Sequence, residues 1–419
     1  MKKDYTKEYS KESLDYLNNA DIKKRKKLGQ YFTPKSIREL LISKLPKKEN
    51  ADILDPSCGS GEFLLSCEKY FKNPNLYGFE IDKNLSAIAS KLVKNSNIKT
   101  LNTLNIDANK KKYDYVIGNP PYFEIKLNEK LKEKHFDIIK GRVNIFSLFI
   151  KIGLQSLKDG GYLAFVVPPS MNNGAYFSKL REYIIENSSL EYLHIIDGAD
   201  NFHAANQKVM LIILKKTNIK ETNFKKSNFQ KSSKYIFKKN GITIFTEDKN
   251  FLNNAYKNTV CLKDIGYAVK TGSIVWNEHK EKLTDCKNNS TLLIWSSNIV
   301  DGKIVIPMQA AGKIRNKKFQ YIRDIPKEVI MKSRVIVVNR ITGSSKDINI
   351  KSAIVNEKEF VCENHVNVIY PLNNANCDYS LEDIYKALND KVNIKVMRLI
   401  SGNTQVSKTE LENLLPIRI

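Results

Sequence analysis

The chain has 419 residues and 42% hydrophobic residues, which is enough for the cores of two domains. Lysine and arginine total 69 against 45 aspartate and glutamate residues, so the formal net charge is +24 and a polyanion such as DNA or RNA is the natural partner, with a functionless lysine-rich composition as the alternative. Six cysteines without CxxC spacing, no secretory segment and no apolar stretch of about eighteen residues argue against a secreted or membrane-spanning protein and predict a cytoplasmic one, held at the nucleoid if it binds DNA.

Residues 53–65 carry the first predicted strand, turn and helix, with the sequence ILDPSCGSGEFLL. Gly59 and Gly61 would let the turn adopt unusual backbone angles and approach a ligand closely, and the following helix N-terminus would offer unpaired N–H groups. The segment therefore predicts a ligand-binding turn. Because only two of the three glycines of the dinucleotide-binding fingerprint are present, an ordinary strand-to-helix turn is the alternative.

Two carboxylates follow the next two predicted strands. The second strand, residues 76–82, carries Glu80 where a nucleoside-binding α/β fold has the carboxylate that accepts hydrogen bonds from ribose hydroxyls. The third predicted strand, residues 99–106, ends at Asp107. A helix cap or a turn is the alternative role for either acid.

The fourth predicted strand, residues 113–118, runs directly into Asn119-Pro120-Pro121-Tyr122. Each proline fixes its own φ and restricts the preceding residue, so this tetrapeptide would present an amide oxygen, a backbone carbonyl and a flat ring to one small volume that suits a planar amine. A proline-rich turn after a buried strand is the alternative. All these candidates fall at the carboxyl ends of predicted parallel strands, the edge at which open α/β sheets bind ligands.

The order of three motifs supports a resemblance to a known family. Gly29-Gln30-Tyr31-Phe32-Thr33-Pro34 comes first, the glycine turn second and Asn-Pro-Pro-Tyr third. In this order the chain resembles the S-adenosylmethionine-dependent N6-adenine DNA methyltransferases of the gamma arrangement, the TaqI-like group of restriction-modification systems. The resemblance is most specific up to residue 218.

The resemblance implies an α/β fold, with a Rossmann-like methyltransferase sheet that has helices on both faces and a C-terminal mixed α/β target-recognition domain. The domains would be a catalytic domain at 1–218, a connecting segment at 219–255 and the target-recognition domain at 256–419. Further predicted elements are a helix after Asn144, strands at 161–168, 190–198 and 209–214, and a helical end at 381–399.

The resemblance also implies S-adenosylmethionine as the cofactor and a set of residues that bind it. These are Tyr31, with Thr33 and Pro34 near the methionine moiety, Asp55, Ser57, Gly59 and Gly61 along it, Glu80 at the ribose, Asp107 at the adenine amine, and Ile81, Pro121 and Phe149 as apolar walls of the adenine ring. For Ile81 and Phe149 an ordinary core position is the alternative.

The implied catalytic residues are Asn119, Pro120, Pro121 and Tyr122. An exocyclic adenine amine is a poor nucleophile because its lone pair is delocalised, and the Asn119 side-chain oxygen and Pro120 carbonyl would accept its two N–H groups and orient that lone pair. A base inside a duplex cannot reach such a site, so the adenine would be flipped out and stacked between Tyr122 and Phe202. No metal is expected, because the five histidines lack zinc-type spacing.

The sequence therefore predicts a site-specific adenine N6-methyltransferase of double-stranded DNA, with a separate restriction endonuclease as a candidate partner. Residues 334–340 and 363–369 look like recognition regions, in which basic residues such as Arg340 could contact base edges or phosphates, or simply face solvent. The alternatives are methylation of RNA adenine or of a protein glutamine, and a DNA-binding protein without catalysis.

Overall fold

The computed structural model describes residues 6–21, 25, 29–109, 112–172, 174–196, 208–217, 233–306, 319–340, 350–373, 375, 378–400 and 405–418. No helix in these ranges combines the length and apolar character needed to cross a membrane. Phe202, predicted to stack on the target base, lies outside the described residues.

The chain divides into two compact units. Unit 1 comprises Met1–Phe237 and Ile242–Lys249, and unit 2 comprises Lys238–Gly241 and Asn250–Ile419. The predicted connecting segment, 219–255, contains a hairpin and a helix in its described part. The assignment of catalysis and target recognition to separate domains remains a prediction.

A seven-stranded sheet forms the centre of unit 1. The described strands up to the hairpin are β1 (Asp52–Asp55), β2 (Asn75–Glu80), β3 (Ser96–Thr100), β4 (Tyr113–Gly118), β5 (Glu124–Ile125), β6 (Val143–Asn144), β7 (Leu157–Val167), β8 (Ser188–Ile196), β9 (Val209–Lys216), β10 (Ile236–Lys239) and β11 (Ile242–Phe245). The sheet has the order β3-β2-β1-β4-β7-β9-β8. Its first five strands are parallel, and β9 runs antiparallel to both β7 and β8.

Helices cover both faces of this sheet. The described helices of unit 1 are α1 (Lys11–Asn19), α2 (Lys35–Ile42), α3 (Glu62–Tyr70), α4 (Lys83–Leu92), α5 (Glu129–His135), α6 (Ile145–Ser156) and α7 (Ser178–Asn187). Side chains alternate along buried β4, so Val116 packs in one core with Phe146 of α6, whereas Ile117 packs in another with Leu41 of α2. The predicted α/β sheet with helices on both faces is confirmed.

Most of the predicted elements of unit 1 are present, but the third strand is displaced. It ends at Thr100 instead of Ile106, because the Asn102 side chain accepts a hydrogen bond from Leu104 N at 3.0 Å and starts a 3₁₀ turn over Thr103–Asn105. The fourth strand, Tyr113–Gly118, has the predicted bounds.

Unit 2 combines short strands with helices, which confirms the predicted mixed α/β region. Its described strands are β12 (Thr259–Val260), β13 (Tyr267–Thr271), β14 (Leu283–Thr284), β15 (Thr291–Ile294), β16 (Ile299–Val300), β17 (Lys303–Ile304), β18 (Tyr321–Ile322), β19 (Val335–Asn339), β20 (Ser352–Val355), β21 (Phe360–Cys362), β22 (Val366–Pro371) and β23 (Ile417–Arg418). Two four-stranded sheets have the orders β13-β22-β19-β20 and β14-β18-β15-β21.

The helical end of unit 2 differs from the single predicted segment. Its described helices are α8 (Lys249–Ala255), which starts at the unit boundary, α9 (Leu381–Asn389), α10 (Lys391–Ile400) and α11 (Lys408–Leu414). The predicted helical end at 381–399 is broken at Asp390, whose side chain accepts from Val392 N at 2.9 Å and from Asn393 N at 3.1 Å. These bonds satisfy N–H groups at the start of a new helix.

Candidate active site

A cleft of about 260 Å³ opens at the carboxyl ends of β1, β2 and β4. The predicted site residues that line it are Tyr31, Ser57, Gly59, Glu80, Ile81, Asn119, Pro121 and Phe149. Asn119 therefore shares one cleft with Gly59 and Glu80, as the parallel order of the strands requires.

The glycine turn and Glu80 hold each other in position. Gly59 and Gly61 have φ angles of 54° and 90°, in the left-handed region that favours glycine. Gly59 N donates to Glu80 Oε2 at 2.9 Å, and Asp82 N donates to Glu80 Oε1 at 2.8 Å. A carboxylate has about four acceptor sites, so Glu80 can still accept a hydrogen bond from a ligand hydroxyl. Burial raises the pKa of this carboxyl.

Two side chains of the cleft, those of Ser57 and Ile81, lie in energetically unfavourable surroundings. The Ser57 hydroxyl is buried and has no hydrogen-bond partner within the described part of the chain. Such a group costs free energy unless a partner arrives. Ile81 is 62% exposed although it is large and apolar. A ligand with both polar groups and a flat apolar ring would satisfy both residues.

Asp55 is a buried carboxyl beneath the glycine turn. Its Oδ1 accepts a hydrogen bond from Ser57 N at 3.0 Å, and only 1% of the residue is exposed. The pKa of Asp55 is raised to about 8, chiefly by burial and also by the nearby Glu80, while the Ser57 N–H opposes the rise. A ligand with a positive charge near this carboxyl would favour its ionised form.

The side-chain amide of Asn119 is held in one orientation. Its Nδ2 donates to Tyr31 O at 3.1 Å and to Thr33 Oγ1 at 3.0 Å, and its Oδ1 accepts from the Tyr122 hydroxyl at 2.5 Å. Two acceptors on one end and a donor on the other define which end is nitrogen. Oδ1 keeps one lone pair for a further donor.

Gly29 brings the first motif against the Asn-Pro-Pro-Tyr turn. It has a φ of 61°, and a Cβ atom at this position would lie 3.0 Å from Tyr122 N and 3.2 Å from Pro121 Cβ. Only glycine combines this backbone conformation with so close an approach. The contact explains how Tyr31 and Thr33 reach Asn119 from a distant part of the sequence.

Tyr122 is anchored beside the cleft and is not among the residues that line it. Its hydroxyl also lies 2.7 Å from Val166 O in β7, so one proton is shared between this carbonyl and Asn119 Oδ1. The ring meets Phe146 edge-on, with centroids 6.2 Å apart. Burial raises the pKa of this phenol well above its ordinary value.

Asp107 lies apart from the cleft. It is exposed, and its Oδ1 accepts from Asn109 N at 3.2 Å in a turn. The cleft is lined instead by Leu101, Asn102 and Thr103, which follow the end of β3 at Thr100. The sequence analysis missed all three; the signal was the Asn-Thr-Leu turn, which ends a strand earlier than hydrophobicity alone suggests.

Five other predicted residues do not line the cleft, but each lies within two positions in the sequence of a residue that does. They are Thr33, Pro34, Asp55, Gly61 and Pro120. Arg38 fixes the backbone of Thr33, because its NH1 donates to Thr33 O at 2.5 Å. Arg38 NH2 donates to Glu62 Oε2 at 2.8 Å, and both side chains are buried. This ion pair ties the first motif to the helix that follows the glycine turn.

A mainly parallel α/β sheet whose glycine turn, Glu80 and Asn-Pro-Pro-Tyr turn meet in one cleft is the architecture of a Rossmann-like, S-adenosylmethionine-dependent methyltransferase. Sequence comparison then gives the family. Residues 15–280 match the N-6 DNA Methylase family, and the chain belongs to that family. The predicted membership of the N6-adenine DNA methyltransferases is confirmed at the level of the family.

Individual relatives cover the chain to different extents. Modification methylase CviBIII of Paramecium bursaria Chlorella virus NC1A is 31% identical over 214 residues, which are 50% of this chain and 55% of that protein. Type II methyltransferase M.CvrRI of Paramecium bursaria Chlorella virus XZ-6E is 26% identical over 405 residues, which are 96% of this chain and 97% of that protein. The chain thus spans about half of the first relative and nearly all of the second.

The chain is also similar to a solved structure. A putative class I S-adenosylmethionine-dependent methyltransferase from Listeria monocytogenes is 24% identical, with a TM-score of 0.42, over 49% of this chain and 65% of that one.

Proposed function

We propose that this protein methylates the N6 amine of adenine at a specific sequence in double-stranded DNA, as the modification enzyme of a restriction-modification system. The observation that supports this most directly is the fixed amide of Asn119, a residue that lines the same cleft as Gly59 and Glu80. A separate restriction endonuclease that cuts unmodified copies of the same site is part of the proposal.

Asn119 and Pro120 would bind the target amine. Asn119 Oδ1 has a lone pair left after the Tyr122 hydrogen bond, and no hydrogen bond to the Pro120 carbonyl is found among the described residues. Because the amide cannot turn without losing two hydrogen bonds, its acceptor is oriented before the substrate arrives. Such preorganisation lowers the barrier, since no reorganisation is needed during the reaction.

The cofactor fits the residues that are present. Glu80 would accept from the ribose hydroxyls, the buried Ser57 hydroxyl would gain a partner, and Ile81 with Phe149 would cover the adenine ring. We assign Asn102 to the polar edge of that ring in place of Asp107, because Asn102 lines the cleft. S-adenosylmethionine supplies a methyl group that its sulfonium already activates.

Tyr122 would have two roles in this scheme. Its hydroxyl holds Asn119 Oδ1 through the 2.5 Å hydrogen bond, and its ring would stack on the flipped base. Phe202 would cover the opposite face of the base. Pro121, which lines the cleft between the two ligands' sites, would separate them sterically.

The substrate class is tested with radiolabelled S-adenosylmethionine offered to the purified protein together with unmodified duplex DNA, structured RNA or a mixture of proteins. We expect label on the duplex, in N6-methyladenine after digestion to nucleosides. Label confined to RNA or to protein would contradict the proposal, and so would label in cytosine.

A further inference from the structure

One edge of the sheet β13-β22-β19-β20 in unit 2 carries three basic residues, and no ion pair with an exposed acid is found for them in the described part of the chain. Arg340 follows the last residue of β19, His365 precedes β22, and Lys351 precedes β20. The register pairs Asn339 with Val366 and Val338 with Ser352, so the three residues lie at the same end of three adjacent strands. We call Arg340, Lys351 and His365 the cationic edge.

Arg340 is fixed in place by backbone bonds. Its NH1 donates to Asn364 O at 2.8 Å, and its backbone N donates to His365 O at 2.9 Å. The guanidinium has five N–H donors in a rigid planar arrangement. Among the described residues, the Asn364 carbonyl is the one acceptor found for them, so the planar group retains donors for a ligand.

His365 is oriented by a buried carboxylate. Glu363 is 2% exposed; its Oε1 lies 2.6 Å from His365 Nδ1, and its Oε2 accepts from His365 N at 2.8 Å. A carboxylate accepts hydrogen bonds, so Nδ1 carries the proton and Nε2 is left for another contact. The His365 side chain is 42% exposed, which leaves it accessible from solvent.

The opposite end of β19 has a different charge pattern. Arg334 directly precedes β19, and its NH2 donates to Glu382 Oε1 at 2.6 Å while its Nε donates to Asn356 Oδ1 at 2.7 Å. Lys332 forms an ion pair with Glu359 at 3.0 Å at that end. Cations are thus neutralised at one end of β19 and left for a partner at the other.

We propose that the cationic edge contacts the target duplex and that Arg340 reads a guanine through its O6 and N7 acceptors. This inference rests on the proposed function and names the surface that selects the site. A preorganised, planar donor pair matches the two acceptors of a guanine in the major groove, the commonest specific contact to DNA. Lys351 contacts a phosphate nearby, and His365 accepts at Nε2 a hydrogen bond from the amino group of a neighbouring base.

The test compares Arg340→Ala and Arg340→Lys with Lys332→Ala, which removes a paired cation near the other end of β19. Each full-length variant methylates unmodified duplex DNA that contains every hexanucleotide, and the methylated positions are read by single-molecule sequencing. We expect both Arg340 variants to lower kcat/KM at the wild-type site by roughly 10- to 100-fold and to relax the requirement at one base pair. Lys332→Ala should stay within about twofold of wild type, because its charge is already paired with Glu359.

Three results would overturn the inference. They are an unchanged site and rate in both Arg340 variants, a full rescue by lysine, and an equal loss of binding to the site and to a scrambled duplex, which is the behaviour of a phosphate contact. If Arg340→Ala fails to fold, the lysine variant decides. A wild-type protein that transfers no methyl to DNA would contradict the proposed function, whereas an active wild type with unaltered Arg340 variants contradicts only this inference.

Discussion

At the scale of single residues, the proposed chemistry depends on the orientation of the Asn119 amide. Asn119 is the meeting point of the first motif, through Tyr31 O and Thr33 Oγ1, and of the Asn-Pro-Pro-Tyr turn, through the Tyr122 hydroxyl. These bonds fix the Asn119 amide, in a residue that lines the cleft, before any substrate binds. The rate should therefore depend on groups that touch only Asn119, as well as on Asn119 itself.

Tyr122→Phe tests this positioning separately from stacking, because phenylalanine keeps the ring and removes the hydroxyl. We expect kcat to fall roughly tenfold, the cost of one hydrogen bond, with little change in KM for DNA or in cofactor affinity. Tyr115→Phe is the matched control, since this tyrosine of β4 donates to Pro46 O at 2.6 Å and does not contact Asn119. Equal rates for the two variants would mean that Tyr122 acts through its ring alone.

Asp55 should give the stability of the cofactor-free protein a dependence on pH. Its pKa in the folded protein is about 8, above the ordinary value of 3.8, so folding takes up a proton between these values. The associated stability is complete below the unfolded pKa and is lost as the pH rises through about 8. In urea unfolding, wild type should lose stability relative to Asp55→Asn over that range, whereas a constant difference would contradict the shifted pKa.

At the scale of elements, buried electrostatics join the motifs. Arg38 of α2 contacts both Thr33 O and Glu62 at the start of α3, and Ser10 N and Oγ donate to Glu62 Oε1 at 2.8 and 2.7 Å. Three segments thus depend on one ion pair. Burial lowers the pKa of Arg38, and Glu62 opposes that effect.

Glu62→Ala should destabilise the protein by about 3–5 kcal/mol, because it leaves the Arg38 guanidinium buried without its partner. Lys35→Ala is the control, since it breaks an ion pair with Glu39 on the same helix whose side chains are about half exposed, and we expect less than about 1 kcal/mol. Both values come from urea unfolding. A Glu62→Ala effect no larger than that of the control would refute the structural role of the pair.

Sequence reasoning succeeded where the signal was local. The bounds of β4 and the turn that follows it were predictable, because an apolar run stops at two prolines that fix the backbone. The end of β3 was not, because a side-chain hydrogen bond of Asn102 competes with the strand. The contacts of Asn119 with Tyr31 and of Tyr122 with Val166 could not be predicted either, because they join segments that are distant in sequence.

At the scale of the whole molecule, the net charge of +24 suits a protein that binds a polyanion, and the cationic edge of unit 2 is one place where that charge has a defined arrangement. The proposed chemistry depends on unit 1, whose parallel strands bring the glycine turn, Glu80 and Asn119 to one cleft. The central claim is that the Asn119 oxygen binds the amine that is methylated.

Single-turnover methyl transfer to unmodified duplex DNA by Asn119→Ala tests this claim most directly, with Asn97→Ala, an exposed position in β3, as the control. We expect Asn119→Ala to transfer methyl at least about 100-fold more slowly while it still binds S-adenosylmethionine, and Asn97→Ala to match wild type. An Asn119→Ala protein that binds the cofactor and methylates DNA at the wild-type rate would contradict the account.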